Sequence, residues 1–258
     1  MQDLKNKIAL VTGIINKRSI AYAAAEFFSS QGAKLVLTYL PTGKDGEEEK
    51  LRKLVDGMDP ALILPLDVTE NGSIAALADA IGKKLGRLHI LVHSIASAKR
   101  EELAGRFSAT SSEGYLYAHQ VSSYSLVDMV NHLRPLMTGE GGSVVTLTYI
   151  GSERAAKNYN VMGSAKAALE ANVRYLAAEL GEENIRVNAV SAGPIRTVSA
   201  SGVRDFLDLL HMAAQYSPMK RNVTQEEVAN TIGFLGSSMS SGITGQVIYV
   251  DGGYNIFG

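Results

Sequence analysis

The sequence predicts a single α/β domain over residues 1–258, a doubly wound parallel sheet of seven strands with helices on both faces. Three observations carry that prediction. Short apolar runs alternate with stretches of helical period along the whole chain, which is the signature of strand–helix–strand units. Several of the runs are β-branched and lack polar/apolar alternation, as parallel strands buried on both faces do. No internal repeat, low-complexity tract or interdomain linker interrupts the series.

In chain order, the run at 8–12 (IALVT) reads as the first strand, and helical period follows over 19–31. The run at 34–38 (KLVLT) and a helix over 46–56 make the second unit, and 62–66 (LILPL) with a helix over 72–85 the third. The fourth strand is 89–93 (HILVH), followed by a long helical stretch over 112–136. The fifth strand is 143–148 (SVVTLT), ahead of a second long helix over 159–180. Residues 186–190 (RVNAV) form the sixth strand, and a helix over 225–235 leads to the seventh, 246–250 (QVIYV). The segment 192–217 has no clear period and carries Gly193, Pro194, Ser199, Ser201 and Gly202, with Pro218 just after it. A loop of that length inside a compact domain suggests a lid over a site.

Composition narrows the function classes. The 25 basic and 26 acidic side chains leave a net charge of −1, so bulk electrostatics argue for neither nucleic acid nor an anionic membrane as partner. The absence of cysteine removes disulfides, thiolate metal sites and a cysteine nucleophile, and fits a reducing compartment; no metal is expected. Residues 1–12 run straight into the first strand with no signal-peptide pattern, and no apolar run approaches the ~18 residues of a membrane span. The expected location is the cytoplasm, or a plastid stroma after removal of a transit peptide.

In open α/β sheets, ligands sit outside the carboxyl ends of the strands. Gly13, ending the first strand, permits a tight turn and close approach of phosphates to the backbone. The helix behind it would aim its amides and positive dipole at a pyrophosphate. Ser19 is placed to cap that helix and to bond a phosphate. Only one glycine of the usual three-glycine fingerprint is present, so this turn alone does not separate a dinucleotide site from a plain strand–turn–helix. The second strand ends Thr38-Tyr39-Leu40-Pro41 without the acid that would bond adenosine ribose hydroxyls. Lys17, Arg18 and Lys44 could meet the extra phosphate of NADPH or could be solvated loop charges. Asp67-Val68, ending the third strand, could hold an adenine or cap the next helix. Gly13, Leu40, Asp67 and Ile95 should nevertheless share one edge of this Rossmann-type sheet, and their agreement says more than any one of them.

The fifth strand ends at Tyr149. The next helix opens Tyr159-Asn160-Val161-Met162-Gly163-Ser164-Ala165-Lys166. Helical spacing puts Tyr159, Met162 and Lys166 on one face, directed toward Tyr149. A phenol and an ammonium so placed can act as an acid–base pair, the ammonium favouring phenolate and able to donate to ribose hydroxyls. On spacing alone, they are equally an ordinary Tyr and Lys on an amphipathic helix.

The stretch from Leu147 to Arg154, with Asn158 to Gly163 and Lys166, closely resembles bacterial and plastid enoyl-acyl-carrier-protein reductases, a divergent branch of the short-chain dehydrogenase/reductase family. Gly13 with Ser19-Ile20-Ala21, His93-Ser94-Ile95, Ser122 to Ser125, Ser191 to Thr197 and Gly245 to Gly253 match as well, so the resemblance covers essentially the whole chain. It implies reduction of trans-2-enoyl thioesters to saturated acyl thioesters in fatty acid biosynthesis, with NADH as hydride source and NADPH kept open. It also implies an acyl carrier protein as the substrate's bearer and a homotetrameric assembly.

Ordinary members of the larger family place a Tyr one helical turn before the Lys and a Ser at the end of the preceding strand. Here those positions hold Met162 and Tyr149, and the tyrosine stands a turn earlier, at Tyr159. That shift suits a substrate in which hydride goes to the β-carbon and negative charge appears on a more distant thioester oxygen. The resemblance therefore implies that Tyr159 stabilises the enolate and Lys166 holds the nicotinamide ribose. Tyr149 lines the acyl pocket with a catalytic or orienting part, and the proton for C2 comes from water or from a Tyr–ribose relay. It further implies dinucleotide contacts from Gly13, Ser19, Ile20 and Leu40 at the near edge. Asp67, Val68, Ile95 and Ile195 complete that set along the sheet. Substrate contacts would come from Ala98, Met162 and the two tyrosines, with the 192–217 segment covering the acyl chain. A basic patch near that cover should meet the acidic carrier. Here Arg204-Asp205-Phe206-Leu207-Asp208 keeps one basic residue and adds acids, leaving Lys220 and Arg221 to compensate. A carbonyl reductase on this fold and a non-catalytic dinucleotide-binding regulator are the competing readings.

Overall fold

A computed structural model describes residues 4–197 and 204–256. The first half of the chain runs β1 (Ile8–Val11), α1 (Ile20–Ser30), β2 (Lys34–Tyr39), α2 (Glu47–Leu54), β3 (Leu62–Pro65), α3 (Ser73–Leu85) and β4 (Ile90–His93). It continues through α4 (Ser112–His119), a π-helical segment Gln120–Tyr124, α5 (Ser125–Met137), β5 (Gly142–Thr148), α6 (Asn160–Leu180) and β6 (Ile185–Ala192). The last elements are α7 (Phe206–Tyr216), α8 (Gln225–Gly236) and β7 (Val247–Val250). The strands form one seven-stranded sheet in the order β3-β2-β1-β4-β5-β6-β7, and every pairing is parallel.

The continuous apolar runs are explained by what covers the two faces. Successive side chains of a strand point to opposite sides. Ala9 and Val11 of β1 therefore join Leu35 and Leu37 of β2 in a core layer closed by Ala24 and Phe28 of α1 and by Val228 and Ile232 of α8. Ile8 and Leu10 pack on the other side with Ile81 of α3, Leu133 of α5 and Leu169 of α6. Both layers are apolar, so the strands show no alternation. The connections cross in opposite directions on either side of β1 and β4. Those neighbouring strands form the topological switch point at which a crevice opens.

Two expected elements differ in shape. The helix expected over 112–136 is broken into α4 and α5 by the π-helical segment. Its serines explain the break: Ser122 bonds Ser97, Ser123 accepts from Asn172, and Ser125 Oγ donates back to the carbonyl of Val121 at 2.7 Å. Within 192–217 the structure has α7 rather than an irregular loop throughout. The sequence FLDLLHMAAQY is apolar at so many positions that its buried stripe, Leu210 and Ala213, does not stand out. Ser199, Ser201 and Gly202 of that segment lie outside the described residues. Among the described residues no helix is long and apolar enough to cross a membrane.

Candidate active site

All the expected cofactor positions fall on the carboxyl edge of the sheet. Gly13 follows β1, Leu40 follows β2, Asp67 and Val68 follow β3, Ile95 follows β4 and Ile195 follows β6. Gly13 has φ +85°, and a Cβ there would stand 1.9 Å from the Ser94 carbonyl oxygen. Only glycine fits the turn between β1 and β4. The two strand ends are tied beside it: Thr12 Oγ1 donates to the Val92 carbonyl and accepts from Ser94 N, both at 3.1 Å.

Ser19 is buried at the N-cap position of α1, but its side chain makes no capping bond, which corrects the expectation. Its Oγ instead accepts the amides of Ile15 and Asn16, each at 3.1 Å, and so fixes the turn. Its hydroxyl hydrogen is left to donate to a ligand. Ile20 and Ile195 pack against the core layer beneath, and Ile95 against the opposite layer. Lys17, Arg18 and Lys44 are exposed, and Leu40 is 58% exposed.

An acid reaches the end of β2 after all, from a neighbouring element. Glu47 of α2 accepts the backbone N–H of Thr42 at 2.9 and 3.0 Å and also its hydroxyl. Glu47 and Glu48 add to burial in raising the Tyr39 phenol above its ordinary range. Asp67 does not cap α3, whose N-cap is Gly72. Its Oδ1 accepts the amide of Thr69 at 2.8 Å and its hydroxyl at 2.7 Å, closing an Asx turn that holds the loop after β3.

At the centre of the edge, Tyr149 leaves β5 in extended conformation and Tyr159 forms the N-cap of α6. Their rings meet edge to face, centroids 5.0 Å apart. Gly151 and Gly163 make room for this pair. A Cβ on Gly151 would stand 2.6 Å from Tyr159 Cδ1 and 3.0 Å from Tyr149 Cδ1, and one on Gly163 would stand 2.7 Å from the Gly151 carbonyl oxygen. Met162 packs with Leu103, Ala118, Val161 and Ala165, and Ala98 and Tyr159 lie against that cluster. Ala98, Tyr149, Tyr159 and Met162 are thus brought together as expected.

Lys166 is buried, and its Nζ donates to the Leu147 carbonyl at 2.8 Å. Burial pushes its ammonium down to about 8, opposed by the Glu170 carboxylate. Burial raises the Tyr159 phenol, with Tyr149 and Glu170 adding to the effect. These effects favour the neutral hydroxyl, the form in which Tyr159 can donate. Tyr149 is raised as well, by burial first and then by Tyr254 and Asp251.

Sequence reading missed three supports. Glu170, buried one turn beyond Lys166, accepts the Thr148 hydroxyl at 2.6 Å. Ser122 accepts Ser97 N and donates to Ser97 O, both at 3.0 Å, holding the loop that carries Ala98. His93, fully enclosed at the end of β4, contacts Thr146 Oγ1 and Ser125 Oγ, each at 2.9 Å. An acid on the apolar face of the helix, at i+4 from Lys166, was the available signal for Glu170. The cluster of serines at 122–125 was the signal for the second.

The segment expected to cover the acyl chain carries α7, whose start is tied to this edge. Lys157 pairs with Asp205 at 3.0 Å, and Asn158 donates to the Arg204 carbonyl at 2.9 Å, tying the start of α7 to the segment before Tyr159. Arg221 is engaged by Glu227 through two bonds of 2.8 and 2.6 Å, and Lys220 donates to the Gln215 carbonyl at 2.8 Å. The two residues expected to compensate for the acids of α7 are therefore committed to internal partners.

Comparison with known proteins gives a consistent outcome. A family model described as enoyl-(acyl carrier protein) reductase matches residues 13–255. The NADH-type enoyl-[acyl-carrier-protein] reductase of a Nostoc species is 52% identical over 258 residues, covering 100% of both chains. The NADPH-type enzyme of Staphylococcus aureus is 48% identical over 257 residues, covering 99% of both. Among solved structures, the Bacillus cereus enoyl-acyl carrier protein reductase with NADP+ and indole naphthyridinone superposes with a TM-score of 0.95 at 45% identity, covering 100% of both chains.

Proposed function

The chain belongs to the enoyl-(acyl carrier protein) reductase family, and from that premise we propose that Tyr159 and Lys166 divide the work at its site. The reaction is the NAD(P)H-dependent reduction of a trans-2-enoyl thioester on acyl carrier protein, a step of fatty acid synthesis. The residues present fit a dinucleotide. The Gly13 turn leaves no room for a side chain where the backbone must come close to phosphates, and Ser19 has a hydroxyl hydrogen to give. Ile20, Leu40, Asp67, Val68, Ile95 and Ile195 would line its path along the sheet edge. Lys166 spends one of its three N–H donors on Leu147, which leaves two for ribose hydroxyls.

When bound, the reduced nicotinamide supplies a hydride to C3 of the enoyl group. Negative charge then develops on the thioester oxygen, and the neutral Tyr159 hydroxyl donates to it, a preorganised donor of the oxyanion-hole kind. The Lys166 ammonium adds positive potential beneath. C2 then takes a proton, which balances the hydride gained at C3. Tyr149 orients the thioester by packing against Tyr159, and Met162 with Ala98 forms the apolar wall. The 192–217 segment covers the acyl chain.

The observation that carries this reading is a neutral phenol at the helix start, edge-on to Tyr149, with Met162 packed where a ketone reductase needs its tyrosine. NADH is the proposed donor, since glutamates crowd the adenosine end of the sheet. The working assembly is a homotetramer in the cytoplasm. Steady-state turnover of crotonyl and β-ketoacyl thioesters, each with NADH and NADPH, tests the reading. Enoyl reduction with NADH should dominate; faster turnover of the ketoacyl substrate overturns it.

A further inference from the structure

Three consecutive residues at the end of β5 serve one site. Leu147 O accepts Lys166 Nζ at 2.8 Å, Thr148 Oγ1 donates to Glu170 Oε1 at 2.6 Å, and Tyr149 follows. Lys166 and Glu170 are the two charged residues among the buried positions of α6, in a strip otherwise made of Val161, Leu169, Val173 and their like. At i and i+4 they share one face of the helix. A carboxylate in such a strip costs several kcal/mol of desolvation unless it is compensated. Here the carboxylate has a short hydroxyl bond from Thr148, and the Lys166 ammonium stands one turn away on the same buried face.

We propose that Glu170 is a positioning residue of the reductase site: its carboxylate is the counter-charge to the Lys166 ammonium and, through Thr148, pins the strand end carrying Tyr149 to α6. The inference rests on the reading of Lys166 as the cation that holds the cofactor. The other groups around Lys166 do not do this work. His93 on β4 is neutral, and the Lys166 charge disfavours its ionisation. Tyr159 and Tyr149 are held as neutral phenols. On the β7 side, Tyr249 donates to Glu153 and is raised above its ordinary range by burial first. Asp251 spends its two oxygens on the amides of Gly253 and Asn255. That leaves Glu170 as the carboxylate opposing the loss of charge on Lys166.

The test separates charge from tether. Glu170→Gln keeps an acceptor for Thr148 and removes the charge; Thr148→Val removes the tether and keeps the charge. The Lys166 Cε resonance is followed by carbon NMR in the free protein, identified by its loss in Lys166→Met, and kcat/KM is measured across the same pH range. Glu170→Gln should lower the Lys166 titration by about one pH unit, and the alkaline limb of kcat/KM should move with it. Thr148→Val should leave the titration nearly in place and lower kcat at every pH. Should Glu170→Gln not fold, Glu170→Asp draws the carboxylate back by one methylene and should lower the titration by a fraction of a unit. An unmoved titration in the folded variant overturns the proposal. If Lys166→Met loses NADH binding while Glu170→Gln leaves the titration unmoved, only this inference falls. If Lys166→Met binds NADH and turns over as wild type does, the reading of Lys166 itself falls.

Discussion

The rings of Tyr149 and Tyr159 meet at 69° with centroids 5.0 Å apart, so the end of β5 and the start of α6 present their two phenols as one unit. An edge-to-face pair of this kind is worth about 0.5–1.5 kcal/mol beyond its buried area. It also fixes where each hydroxyl points. A residue at a helix N-cap is held by only one side of the helix, and the partner ring supplies the other side.

Tyr159→Phe keeps that ring contact and removes the donor. If the hydroxyl stabilises the enolate, its loss should cost about 3 kcal/mol of transition-state stabilisation, roughly a hundredfold in kcat. The KM for NADH and the melting temperature should barely change. Steady-state kinetics on an enoyl thioester check this, and wild-type turnover would remove Tyr159 from the mechanism.

Gly151→Ala attacks the same pair from beneath. The added methyl would meet Tyr159 Cδ1 at 2.6 Å and Tyr149 Cδ1 at 3.0 Å, so both rings must move. A displacement of that order should lower kcat by about tenfold to a hundredfold. Gly163→Ala meets the backbone oxygen of Gly151 rather than a side chain, so its cost should fall mainly on stability. Kinetics and thermal melting of the two variants should give opposite emphases; equal effects on both quantities would refute the division.

Ser122→Ala removes the hydroxyl that satisfies both backbone groups of Ser97. Ser122 is fully buried but Ser97 is half-buried, so leaving the donor and the acceptor unpaired should cost about 1–3 kcal/mol in all. Because Ala98 is the next residue, the KM for the enoyl substrate should rise while the KM for NADH holds. Denaturant midpoints and the two KM values check the pair of expectations.

The sheet was readable because burial on both faces leaves an apolar run at every strand, and the strand ends then align by topology alone. Tyr149, Tyr159, Met162 and Lys166 were readable from spacing and resemblance. What escaped were side-chain contacts to loop backbone, which have no periodicity to betray them. Glu47 reaches Thr42 across a short loop, and Ser122 reaches Ser97 across 25 residues. The burial of the Tyr159 phenol escaped for a different reason. Spacing shows that Lys166 is on its side of the helix, but only packing shows the burial that raises the phenol. The helix α7 hid because a segment apolar on most positions has no readable stripe.

His93 gives the molecule a defined acid limb of stability. Burial pushes its imidazole down to about 3, with the Lys166 charge acting in the same direction. Ser125 Oγ and Thr146 Oγ1 face Nε2 and Nδ1 at 2.9 Å, each with a backbone carbonyl also in reach, of Val121 and of His93, so a neutral ring donates to one hydroxyl and accepts from the other. The folded state therefore holds a neutral ring, whereas the unfolded chain protonates it near pH 6.5. With the folded value depressed, the unfolded state binds the extra proton, so stability is full above about pH 6.5 and falls as pH drops toward 3. The slope contributed by one such group reaches about 1.4 kcal/mol per pH unit. His89, lowered to about 4, contributes with the same sign, so the wild-type slope alone assigns nothing. The difference between wild type and His93→Gln does: urea midpoints at fixed protein concentration should fall less steeply between pH 6 and pH 4 in the variant. Parallel curves for the two proteins would show that His93 protonates in the folded state, and the neutral-ring network at the end of β4 would have to be abandoned.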